Sequence, residues 1–149
     1  MSFNMLETTK FLHSIWSYLV LAVLVLAAVN ALYKFFSNKE FHAKDFRLSL
    51  FTLIVSHIQL ILGIVYFFVS DKIGLIQSVG MGGIMKDSNL RSIVVEHPFT
   101  MIIAIALITI GYSKHKKKLT SKPKFKMIAI FYTLALILVL AKIPWSTWF

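Results

Sequence analysis

Three histidines stand in long apolar surroundings: His13, His57 and His97, the last directly after Glu96. An imidazole or carboxylate in or near lipid hydrocarbon is costly to place, so by default such residues mark ligation, proton transfer or ion movement. The neutral imidazole is a metal and haem ligand, and its second ring nitrogen needs a partner that holds its orientation. The chain has no cysteine, which excludes disulfides, thiolate metal sites, c-type haem attachment and cysteine nucleophiles. Two further histidines, His42 and His115, fall in short basic segments and read as solvated surface residues.

The elements that must position these groups are four apolar runs, over about residues 11–33, 48–69, 93–112 and 127–145. Each is close to the ~20 residues that a helix needs to cross a ~30 Å hydrocarbon core. No charge interrupts the middle of a run, and the need to satisfy every backbone group within lipid forces each into a helix. The 149 residues are 58% hydrophobic and 15% charged, against about half and a quarter in a soluble domain. The expectation is therefore an all-α integral membrane four-helix bundle, with residues 1–149 as a single domain. Glu7 and Lys10 precede the first run in place of a basic cluster, and the run is too long for a signal-peptide core. It is expected to be a retained span.

Charge orients the spans. The connection 34–47 holds four basic residues and two acids, and 114–126 holds seven lysines and no acid. The connection 71–92 holds three basic residues and two acids. Basic excess marks the cytoplasmic side, so an up-down-up-down arrangement has both termini outside, with the glycine-rich second connection. The expected location is the bacterial inner (cytoplasmic) membrane. Topology accounts for the net charge of +10, and nucleic acid is excluded as a partner. Membrane lipid is the expected one, since Lys114, Lys116, Lys117 and Lys118 form a juxtamembrane cluster of the kind that attracts anionic head groups. Trp145 and Trp148 suit the outer interface. Gly80-Met-Gly-Gly83 lacks the flanking residues of a phosphate loop and reads as a flexible turn. Asp87-Ser88 begins a helix that runs through Glu96 into the third span, with Pro98 expected to kink it.

Depth separates the histidines, at about 1.5 Å per helical residue. His13 lies three residues past Lys10, and His97 six past Arg91, so the two are at similar height. His57 lies ten residues past Arg47, near mid-span and about 10 Å deeper than the other two. In a sequential bundle, spans one and three are diagonal across the core. Two imidazoles at one height on diagonal helices have the geometry of a bis-histidine haem. The expected axial ligands are His13 and His97, with His57 an alternative ligand or, with Gln59, an orienting or quinone-binding residue. Gly63 and Gly111 would admit a macrocycle close to the backbone, and Trp16, Phe67 and Phe99 would pack on it. Lys142, Arg91 and Lys10 are candidate partners of Glu96 or of a haem propionate. Ser14 or Ser17 would orient His13, and Met101 is a core residue or a substitute ligand. Glu96 lies about 100° round the helix from His97 and so should partner something else. Without a cofactor, the same polar residues are interhelical hydrogen bonds in an accessory subunit of a larger membrane complex. A proton relay through Glu96, His97 and His57 is a third reading, but the fourth span offers no inner-half acid or histidine to continue it.

The segments Leu12-His13-Ser14, Ser56-His57-Ile-Gln-Leu-Ile-Leu-Gly63, Met85-Lys-Asp-Ser-Asn-Leu-Arg91 and Val95-Glu-His-Pro98 together resemble a family of small four-span bacterial membrane proteins labelled cytochrome b-like. The resemblance covers nearly the whole chain and implies b-type haem and electron transfer. Gln59-Leu-Ile-Leu-Gly63 is also similar, more loosely, to the four-helix halves of haem A synthase. The His-Arg pairs expected there are missing.

Overall fold

The computed structural model describes residues 4–147. Each apolar run is helical, and each helix starts before its run, although the fourth ends three residues short of it. The first, α1 (Met5–Phe36), starts at Asn4, whose side chain accepts the Glu7 backbone N–H and so satisfies one free donor of the first turn. The second, α2 (Ala43–Val69), starts where the Asp45 carboxylate accepts the His42 N–H. The third span is continuous over Ser88–Lys116. It comprises α5 (Ser88–Arg91), a π-helical turn (Ser92–Glu96) and α6 (His97–Lys116). The fourth, α7 (Ser121–Lys142), is followed by a 3-10 turn at Trp145–Thr147. Trp145 thus lies just beyond the last helix, and Trp148 lies outside the described residues.

All four helices are long and apolar enough to cross a membrane, and there is no strand among the described residues. They pack as an antiparallel bundle. α1 lies against α2 and α7, and α6 against α7 and, less extensively, α2. α1 and α6 are therefore diagonal. The start of α1 and the end of α7 share one end of the bundle with the glycine-rich connection, and the two lysine-rich connections share the other.

Small residues dominate the interior. Ala27, Ala28, Ala31, Ala104, Ala129 and Ala135 are buried around Leu24, Ile108, Phe125 and Tyr132, while Phe11, Leu26, Ile61 and Ile137 point outward. Lipid tails are as apolar as these side chains, so the helices associate through close packing rather than apolar burial. Gly111 marks a close approach of α6 to α7, since a Cβ there would fall 2.5 Å from the Phe131 Cβ. It serves helix packing in the lysine-rich half of the bundle.

Three expectations change. The glycine-rich connection is helical: α3 (Lys72–Val79) and α4 (Met81–Lys86) meet at Gly80, whose φ of 81° is open to glycine. Pro98 is accommodated by the π-turn before it, where the His97 N–H reaches back five residues to the Ser92 carbonyl. His115 is fully buried rather than solvated. Because α6 continues past its apolar run, position 115 stays on the inward face of Ile108 and Tyr112. The rings of Phe41, Phe46 and Tyr112 enclose it at centroid distances of 5.6, 5.9 and 5.0 Å.

Candidate functional site

His13 and His97 meet at the glycine-rich end. Their ring centroids are 6.3 Å apart and their planes 88° from parallel. α2 builds the wall behind His13. Tyr66 stacks on the imidazole at 5.7 Å, and Gly63 lies beneath it, where a Cβ would come within 3.2 Å of His13 Cε1. Glycine there lets the ring lie close to the α2 backbone. One turn along α2, the Gln59 side-chain amide donates to the His13 carbonyl at 2.9 Å. α2 therefore holds both the ring and the backbone of His13. Two polar atoms in this corner, His13 Nδ1 and Gln59 Oε1, are buried without a hydrogen-bond partner. Neither nearby serine orients the ring: Ser17 donates its hydroxyl to the Ser14 carbonyl. The Trp16 indole N–H is committed to the Val55 carbonyl at 2.9 Å.

The π-turn sets the position of His97 and Glu96. His97 Nδ1–H donates to the Lys142 carbonyl at 2.9 Å. A carbonyl only accepts, so Nδ1 carries the proton and Nε2 keeps its lone pair. Glu96 accepts from Arg91 Nε and Lys142 Nζ, each at 3.0 Å, and Arg91 Nη1 donates to the Met85 carbonyl at 2.8 Å. Arg91 and Glu96 are five residues apart, about 140° round an ideal α-helix. The wider π-turn brings them into line. Glu96 and His97 both end on Lys142, one on its side chain and one on its carbonyl. The pair thus ties the start of the third span to the end of the fourth. Arg91 and Lys142, expected as partners of either Glu96 or a propionate, flank Glu96 in two ion pairs.

His57 stands apart. Its imidazole is exposed at the α2–α6 seam, with Nδ1–H donating to the Leu53 carbonyl at 2.8 Å and Nε2 lying 3.4 Å from the Thr109 hydroxyl. Phe99 is 65% exposed and points away from the core.

A second polar centre lies at the lysine-rich end and was not singled out from the sequence. The Asp45 carboxylate is buried and accepts from Lys34 Nζ at 2.7 Å, Asn30 Nδ2 at 2.8 Å and the His42 N–H at 2.9 Å. Its signals are the one-turn spacing of Asn30 and Lys34 and the place of Asp45 three residues after a helix start.

Two imidazoles on opposite sides of one ion, each bonded at about 2 Å, have ring centroids about 6 Å apart. The His13–His97 spacing matches this, and the hydrogen bond on His97 Nδ1 is of the kind that holds a ligating imidazole in orientation. As a donor pair, the two imidazoles fit ligation of a single iron from both sides. No family model, curated protein or solved structure matches the chain. Its character as a multi-pass membrane protein stands on the four helices themselves.

Proposed function

We propose that the protein is a b-type cytochrome-like electron carrier of the bacterial cytoplasmic membrane, holding one haem through His13 and His97 near the outer leaflet. The observation that carries this reading is the meeting of two imidazoles from diagonal helices at 6.3 Å. Haem held by two imidazoles supplies one-electron transfer at a six-coordinate iron. The chain's own residues do the rest. The Lys142 carbonyl fixes His97 and strengthens it as a base. Gly63 and Tyr66 fix His13, and Arg91 and Lys142 supply positive charge at the height of the ligands. His57, exposed at the α2–α6 seam, is the position at which a quinone would exchange electrons from the bilayer. A larger membrane redox complex is the corresponding partner.

The test is the reduced-minus-oxidised absorbance spectrum of protein purified after expression with ample haem. Haem bands are expected in the parent protein and in His57→Ala, and absent from His13→Ala and His97→Ala. A featureless parent spectrum would falsify the proposal. Survival of the bands in His13→Ala would remove the ligand pairing.

A cofactor-free accessory subunit is the second reading, favoured by one observation. Polar side chains repeatedly end on a backbone carbonyl of another helix: Gln59 on His13, Trp16 on Val55, Tyr132 on Ser49 and His97 on Lys142. Such bonds in membranes contribute about 0.6 kcal/mol each. Stoichiometric co-purification of other subunits with no visible absorbance supports this reading.

A further inference from the structure

At the lysine-rich end, α7 and the end of α1 form an open groove of about 340 Å³, lined by Phe35, Lys118, Lys122, Pro123, Lys126 and Met127. Lys122 and Lys126 are one turn apart on α7, with Lys118 in the connection before it. The Lys122 ammonium donates to Asn38 Oδ1 at 2.9 Å and sits 5.1 Å from the centre of the Phe35 ring. It is therefore held across the groove between the two helices. Three ammonium-bearing chains and three apolar side chains line the groove, and no lining residue is acidic.

The two chemistries are ordered along the membrane normal. Lys118 and Lys122 stand beyond the apolar run of α7, and Met127 begins it. Below Lys126 the same α7 face continues as Ile130 and Leu134, 41% and 46% exposed. A ligand lying here meets positive charge at head-group level and apolar surface at acyl-chain level. We propose that this groove binds an anionic diacyl phospholipid, its phosphate among Lys118, Lys122 and Lys126 and an acyl chain along Phe35 and Met127. The apolar floor distinguishes this ligand from free phosphate, which would use only the lysines. The groove shares Lys118 with the juxtamembrane cluster but not Lys114, Lys116 or Lys117, and the Lys116 ammonium lies 5.2 Å from the centre of the Tyr112 ring. The groove site is independent of the haem reading.

The experiment follows the melting temperature of the full chain in a non-ionic detergent. Phosphatidylglycerol, phosphatidylcholine and inorganic phosphate are each titrated in. Phosphatidylglycerol is expected to raise the melting temperature saturably, and the other two are not. The triple variant K118Q/K122Q/K126Q is expected to lose about tenfold or more in apparent affinity, because each lysine near an anionic head group adds substantially to binding. Lys126→Gln alone should show part of that loss. The equal-charge control K114Q/K116Q/K117Q should stay within about twofold of the parent protein. Equal weakening of the two triple variants would reduce the effect to diffuse attraction and overturn the site. Equal stabilisation by inorganic phosphate would overturn the lipid as ligand, and equal stabilisation by phosphatidylcholine would overturn head-group recognition.

Discussion

Gly63 is the residue on which the His13 ring rests, and it separates two kinds of glycine in this chain. An alanine Cβ at Gly63 would press on the imidazole edge at 3.2 Å, with Tyr66 behind the ring limiting its retreat. An alanine Cβ at Gly111 would meet Phe131 at 2.5 Å, inside the α6–α7 contact. If His13 and His97 hold the proposed haem, Gly63→Ala is expected to shift the electron paramagnetic resonance signal of the ferric protein with a smaller loss of melting temperature than Gly111→Ala. Gly111→Ala is expected to destabilise by about 1–3 kcal/mol, as overpacking does, with the signal unmoved. On the same proposal, the perpendicular ring planes of His13 and His97 would give a strongly anisotropic low-spin signal, and a rhombic one would mean that the rings turn on binding. That His13 and His97 lie at one height was legible from their distances to Lys10 and Arg91. The part played by α2 was not, because Gly63 and Tyr66 approach His13 only when two helices pack at one particular rotation.

The helices themselves carry two devices that hold the bundle at its ends. At the glycine-rich end, the π-turn aligns Arg91 with Glu96 and leaves Glu96 and His97 together on Lys142. Helical periodicity alone places Glu96 and His97 on different faces, and it left Lys142, Arg91 and Lys10 open as partners of either Glu96 or a propionate; the fold pairs Glu96 with the first two. At the lysine-rich end, Asp45 gathers Lys34, Asn30 and its own helix start. Asp45 is 4% exposed, so removing the carboxylate strands a partly buried ammonium. Asp45→Ala is expected to lower stability by about 3–5 kcal/mol in thermal unfolding, the cost of breaking a buried pair. A loss near the ~0–1 kcal/mol of a surface pair would show the network to be solvated.

Across the whole molecule, the alternation of apolar spans and basic connections makes a directional prediction. The natural absence of cysteine gives a clean background for single-cysteine labelling in intact cells. Gln77→Cys, in α3, is expected to react with a membrane-impermeant maleimide, and Lys117→Cys only after permeabilisation. The reverse pattern would invert the topology and place the histidine pair at the inner leaflet. The number of spans, their helical form and the expected orientation were determined by sequence alone, because bilayer thickness, backbone satisfaction and loop charge act on each segment locally. The tertiary structure decided which side chains meet. It brought His13 to His97 and away from His57, enclosed His115 in aromatic rings, turned the glycine-rich connection into two helices, and set Glu96 between two cations. Each of these depends on how far one helix is rotated and shifted against another, and that is fixed by packing between segments distant in the chain.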